Sequence, residues 1–520
     1  MISTLDILFG YRLLTYFKAK GAIRSTNPAT VLIRVCGFLH KINLLELMNM
    51  KSDQSLPKAT LGHFTWTQIV WFLIAWLVVF ALGTLGIANP FWMEQSASAT
   101  PDYAHIMYIH SLLVGMAGVV VLVACEIFQI RSQKVRTFIL FASVISTVLV
   151  GLGGLFDATL QINWFWLILH VIGFFALDAI FIAFLVGLIQ DLRAKTDASR
   201  TLAYWSAILA GFSLEFAALM GHAAGWILDF GNHPALIGIW AKFVGESISD
   251  FSANLTTSHS HEIVVALLAL LVSMIAWRFG YQSLKSGTKS IARIGLWFVM
   301  AGTVIMTIMY VLGGITSIEP PTLFTFGPGG ANGLASDDLV TGIGVMIGSL
   351  LVLLALLFKN KDLHAAWGKT TLYSIAASWL LLVVTVVGAG YYIELNETVF
   401  GAGDPHAPGA VSDAVFTFAH QDYAFFLIPA SIALMLIANI VLQNKEKAIS
   451  RGIFTGIVIT FIGILTYIFY DPMSIHGVGY IITAIGLFIL FVTALFFLQG
   501  LWKFTFTNST IKSDHHYLTK

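Results

Sequence analysis

Charge is what this chain has least of: only 11% of its 520 residues are Asp, Glu, Lys or Arg, where soluble domains carry about 25%. That shortage excludes a water-soluble globule. Cysteine is nearly missing too. Cys36 and Cys125 form no spaced pair, so neither a disulfide framework nor a cysteine metal site is implied, and both read as small buried hydrophobes. The net charge is +1 and no Lys/Arg block is interleaved with aromatics, which excludes a nucleic-acid partner. Phosphate-binding glycine loops, hydrolase triads and zinc-protease spacings are missing. The run Gly327-Pro328-Gly329-Gly330 follows no strand and is read as a loop.

What is present is apolar length. Hydrophobic residues make up 58% of the chain and mean hydropathy is +0.84, the composition of an all-α polytopic membrane protein embedded in a lipid bilayer. Residues 1–65 mix short apolar patches with Arg12, Lys18, Lys20, Arg24, Arg34 and Lys41. None of those patches reaches the roughly 20 residues a span needs, and no signal-peptide cleavage site is evident. The segment reads as a cytoplasmic or interfacial lead-in, or equally as a dispensable extension upstream of Met48 or Met50. Residues 66–502 form the membrane domain, with twelve expected spans near 66–87, 104–129, 137–159, 163–190, 202–228, 259–283, 291–316, 338–358, 370–394, 414–442, 452–470 and 475–502. Residues 503–520 form a tail.

Charge placement orients this count. With the N-terminus inside, every one of the 28 Lys and Arg except Lys242 falls on the inner side, as the positive-inside rule requires. Both termini are therefore expected in the cytoplasm and the protein in the plasma membrane. The same topology sorts the 15 histidines. His40, His63, His364, His515 and His516 fall inside, and the others lie in outer loops or outer ends of helices. An imidazole in hydrocarbon is costly unless it binds a metal, pairs, or faces water. Each histidine also has a plainer role open to it, a hydrogen bond to a neighbouring helix or a place at headgroup level, and that role is preferred for His233, His406 and His476.

Three spans open with these residues: the second with His105 and His110, the sixth with His259-Ser260-His261-Glu262, and the tenth with His420 and Asp422. Their spacing of four helices suggests three arcs of four. Twelve helices with histidines at the outer ends of the second, sixth and tenth resemble the catalytic subunit of the haem–copper oxidase superfamily, which includes cytochrome oxidases and nitric oxide reductases. The resemblance covers 66–502 and rests on topology and ligand placement. It implies that His110, or His105, and His420 are haem ligands, and that His259 or His261 lies on the copper side. Two departures accompany it. The seventh span, Ile291–Thr316, has no histidine where the family has an adjacent pair, and the tenth has Asp422 where a second histidine would stand. What survives is a low-spin haem of b type between two imidazoles. His170, in the outer layer, is a further cofactor-binding candidate, and His259, His261 and Glu262, with His222, are candidates for a site holding copper or another transition metal.

Deeper in the expected bilayer, Asp178 follows His170 by eight residues, about 12 Å along the helix, and Glu215 precedes His222 by two turns. Carboxylates near mid-membrane on consecutive helices suit a proton relay, or else pair with hydroxyl or indole donors and fix packing. The stretch 229–258 is expected to hold a re-entrant or interfacial helix over the histidine layer, and Pro429 to kink the tenth span near His420. Two function classes follow. One is a membrane redox protein, an oxidoreductase exchanging electrons at the outer face with a quinol or an external donor, with accessory subunits and with Asp178 and Glu215 moving protons. The other is a proton- or cation-coupled transporter using the same residues.

Overall fold

The computed structural model describes residues 102–160, 164–194, 196, 198–229, 248–316, 333–358, 368–399, 418–442, 445–470 and 478–507. All of them lie in the unit Pro57–Lys520. The first expected span, the lead-in over 1–65 and the tail beyond 507 lie outside the described residues. Among the described residues the chain is wholly helical: α1 (Asp102–Ile127), α2 (Gln133–Leu160), α3 (Trp164–Arg193), α4 (Leu202–Asp229), α5 (Ile248–Arg278), α6 (Ser286–Thr316), α7 (Gly333–Leu357), α8 (Lys369–Val399), a π-helical segment (Phe418–Leu427) running into α9 (Ile428–Val441), α10 (Glu446–Tyr470) and α11 (Val478–Thr507). Nine of these contain a stretch long and apolar enough to cross a bilayer, and Leu113–Ile127 and Gly344–Leu357 are shorter apolar stretches. The molecule is an all-α polytopic membrane protein.

Burial divides the helices into two kinds. In α5 and α9, 89% and 94% of the apolar span is buried, against 39–61% in the other seven. In α1 every residue from Leu113 to Ile127 is buried. These three helices touch one another and form the interior. The others turn large side chains outward, among them Phe141 on α2, Phe175 on α3, Trp297 on α6 and Phe488 on α11, the lipid-facing surface expected of a bundle without water around it. Without a hydrophobic drive between helices, close backbone approach supplies the attraction. It is built from glycine in the hairpins α2–α3, α6–α7 and α10–α11. A Cβ on Gly348 of α7 would stand 2.5 Å from the Gly295 carbonyl oxygen of α6, and one on Gly486 of α11 would stand 2.9 Å from that of Gly456 on α10.

One end of the bundle carries polar locks. Arg136 donates to Glu126 at 3.0 Å and also to the Ile130 carbonyl, closing the α1–α2 turn. The Arg131 backbone N–H donates to Asp191 of α3 at 3.2 Å. Arg278, at the end of α5, donates to the Asn439 side chain of α9 at 3.0 Å. Beyond Arg278 the chain turns through Gly280 at φ 66 into a short 3-10 turn, Tyr281–Ser283. The Tyr281 hydroxyl there accepts from the Leu202 backbone N–H at 3.1 Å, and burial pushes this phenol up to about 12, so it stays neutral at any ordinary pH.

Two boundaries depart from the sequence reading. The sixth span was expected to open at His259, whereas α5 begins at Ile248, so His259, His261 and Glu262 lie well inside the helix and not at its mouth. The run Ser249–Ser258 is polar, and an apolar-length criterion stops where a helix continues past the hydrocarbon. The expected interfacial helix over 229–258 is correspondingly reduced: residues 230–247 lie outside the described residues, and 248 onward belongs to α5. At the tenth span, Pro429 stands at the start of α9, and the turn before it is π-helical. A proline lacks its N–H, and here the backbone before it runs in wider turns that include His420.

Candidate functional site

Helices α3, α4, α5 and α6 bring one group of polar side chains together in the bundle. Asp178 of α3 lies 2.5 Å from His222 Nε2 of α4. Phe174, one turn from Asp178, sets its ring edge-on to His170 at 4.7 Å and to His222 at 5.9 Å, and Phe175 stacks on His222 at 4.9 Å. The His222 ring is thus held in a fixed plane by aromatic contacts while one nitrogen meets the carboxylate. Glu215, seven residues before His222 and so on the same face of α4, interacts electrostatically with both Asp178 and His222.

From α5, His259 Nδ1 lies 2.7 Å from the Ala217 carbonyl of α4. A carbonyl can only accept, so Nδ1 carries the proton and Nε2 is the basic nitrogen of the neutral ring. Its ring occupies the space over Gly221: a Cβ there would stand 2.9 Å from His259 Nε2, so the glycine makes room for the imidazole. His259 interacts electrostatically with His222 and Asp178. Three residues on, Glu262 is fully buried and accepts from the Ser213 hydroxyl of α4 at 3.2 Å. Thr307 of α6 donates to Ser213 at 2.8 Å, extending the line to a fourth helix. Asp178 Oδ1, Glu215 Oε2 and Glu262 Oε2 are buried with no hydrogen-bond partner among the described residues. A native bundle seldom leaves such acceptors unpaired.

His261 belongs elsewhere. Its ring stacks over Tyr310 of α6 at 6.2 Å and meets Phe425 of the π-helical segment edge-on at 6.3 Å. Residues two apart on a helix point in nearly opposite directions, so His259 and Glu262 face α4 while His261 faces α6 and the π segment. The set His259, His261 and Glu262 therefore does not converge on one point. Among the described residues no three His, Cys, Asp or Glu side chains are placed to hold a metal ion. The described residues do not fit a copper site of that composition.

His105 and His110 lie on α1, and His420 lies in the π-helical segment. Only the backbone of these three is described, and α1 packs against that segment. The structure therefore unites Asp178, Glu215, His222, His259 and Glu262, links His170 to them through Phe174, and sets His261 apart. Sequence reasoning missed Ser213, Thr307, Tyr310, Gly221 and the Phe174–Phe175 pair. A hydroxyl on an apolar helix gives no sign of which helix its carboxylate stands on. Gly221 beside His222 was the one local signal, since glycine marks close approach.

No family model matches the chain, and neither a curated protein nor a solved structure matches it. The fold and the site therefore define its class alone: an all-helical multi-pass membrane protein with a cluster of buried and half-buried carboxylates and imidazoles on α3, α4 and α5.

Proposed function

We propose that this protein is a membrane-bound redox protein of the plasma membrane that holds a low-spin b-type haem between His110 and His420 and couples electron transfer to proton movement. The observation that carries the reading is the identity of the interior helices. Of the described helices, the three that form the centre are those bearing His110, His259/His261 and His420, and the elements bearing the two haem-ligand candidates pack together. Glycine-stapled hairpins follow each interior helix, which supports three arcs of four; twelve spans, the first preceding α1, with both termini inside complete the proposed topology. An imidazole pair on facing apolar elements is a suitable donor set. Bound there, such a haem supplies reversible one-electron transfer.

The chain's own residues handle protons. A carboxylate taken out of water loses solvation, and Asp178, Glu215 and Glu262 each keep an oxygen with no donor among the described residues. His222 Nε2 lies 2.5 Å from Asp178, His259 interacts electrostatically with both, and the Ser213 and Thr307 hydroxyls join Glu262 to α6. Hydroxyls that both donate and accept pass a proton without holding it. Electrons enter at the outer face from a quinol or an external donor, with accessory subunits docking there.

A second reading, a proton- or cation-coupled transporter, is favoured by the depth of the cluster: Asp178, Glu215 and Glu262 each stand near the middle of a long helix. Metal analysis of the purified protein separates the two. The redox reading predicts iron in stoichiometric amount, lost from His110→Ala and His420→Ala, with the line Asp178 to Glu262 intact in both. Iron-free protein that takes up protons or cations in vesicles would transfer the site to the transporter reading.

A further inference from the structure

At the opposite end of the bundle α8 and α10 begin side by side. Thr371, in the first turn of α8, donates to Glu446 and lies 2.8 Å from the Ser450 hydroxyl, both in the first turns of α10. Gly368 precedes α8 at φ +79, where a side chain would collide with Asn439 and Glu446. Above this lock an open groove of about 540 Å³ lies between the helices, lined by Lys369, Thr370, Tyr373, Ser374, Ala377 and Phe454. Its two ends differ in chemistry. The end at the helix starts carries Lys369, exposed and 5.5 Å from the Tyr373 ring centre, with the Thr370 and Ser374 hydroxyls. Along the membrane direction it becomes Tyr373, Ala377 and Phe454.

Among the described residues named here, the charge exposed at the mouth is basic. Lys447 and Arg451 are exposed on α10, and with Phe454 they recur at four and three residues, one face of the helix, so the face that lines the groove carries two cations at its rim. Glu446, beside Lys447 at the start of α10, is buried and engaged by Thr371, so it does not neutralise them at the surface. Both helices also point their N-terminal, positive ends to this mouth.

We infer that the groove binds an anionic phospholipid, the phosphate held by Lys369, Thr370 and Ser374 with Arg451 and Lys447 at the rim, and an acyl chain laid along Tyr373, Ala377 and Phe454. Basic pockets between spanning helices at the cytoplasmic face select anionic headgroups, and the apolar floor distinguishes a lipid from a free phosphate. The bound lipid braces α8 against α10 from outside, over the Thr371–Glu446 lock. This inference is independent of the redox reading.

The test is native mass spectrometry of the full-length protein in neutral detergent, titrated with dioctanoyl phosphatidylglycerol, with phosphatidylcholine of the same chain length, and with inorganic phosphate as competitor. Phosphatidylglycerol should bind in preference to phosphatidylcholine and resist phosphate. Each of Lys369→Gln and Arg451→Gln should weaken it about fivefold, the value of roughly 1 kcal/mol for one basic residue near an anionic headgroup. Ala377→Phe, which fills the floor and leaves every charge in place, should weaken it as well. Equal binding of the two lipids, displacement by phosphate, or undiminished phosphatidylglycerol binding in these variants would overturn the proposal. So would a homodimer that breaks up in Lys369→Gln.

Discussion

Arg136→Ala should destabilise the protein by about 3–5 kcal/mol, the usual cost of removing one partner from a buried ion pair. Glu126 and Arg136 are each only 3% exposed and 3.0 Å apart, and Arg136 also holds the Ile130 carbonyl, so the substitution strands a carboxylate and a backbone acceptor together. The loss is not the net worth of the pair, because both charges were desolvated to form it. Glu126→Leu combined with Arg136→Met should therefore recover most of the stability, as replacement of whole buried pairs by apolar side chains commonly does. Unfolding in mixed detergent and sodium dodecyl sulfate measures both variants. A single substitution costing under about 1 kcal/mol, the range of an exposed pair, would show that this corner is wet.

The second large effect concerns function. Asp178→Asn keeps the volume of the side chain and a contact to His222 but removes the proton-accepting carboxylate, and it should slow proton movement coupled to electron transfer by about 10²-fold or more, the range for a positioned acid–base group. His222→Gln should do the same. Because the two groups form one unit at 2.5 Å, the double variant should be little worse than either single one, the non-additivity expected of residues that act together. Haem content should stay unchanged in all three, which distinguishes a proton carrier from a fold-breaking change. A pH-sensitive dye trapped in vesicles reports the proton step. Rates within about twofold of the parent would remove Asp178 from the path and leave it a packing partner of His222.

Much of the fold was legible because lipid imposes so few solutions. Apolar length located each of the eleven described helices within a few residues at most boundaries. The exception, the start of α5, arises where Ser249, Asp250 and Asn254 extend a helix with polar side chains. Pro429 marked the place where the tenth span changes its hydrogen bonding, but the π-helical turns that answer it depend on neighbours no local pattern contains. The period of four seen in His110, His261 and His420 suggested equivalent positions around the bundle; that the elements bearing them are the most buried of those described was not read from the sequence.

The site was legible as a list and not as a map. Asp178, Glu215 and His222 were singled out, yet His222 was grouped with metal ligands, because its pairing with Asp178 depends on the rotation of α3 against α4. His259 and His261 were read as neighbours on the strength of their spacing. On a helix that same spacing sends them to different partners, Ala217 and Tyr310. Glu262 was counted as a ligand, whereas Ser213 and Thr307 make it part of a hydroxyl line.

Whether His110 and His420 hold a haem in the interior of this bundle is read from a reduced-minus-oxidised visible spectrum of the purified protein. Sharp low-spin b-type bands are expected that vanish in His110→Ala and in His420→Ala and persist in Asp178→Asn. A colourless protein from cells supplied with haem, or bands that survive both histidine substitutions, would contradict it.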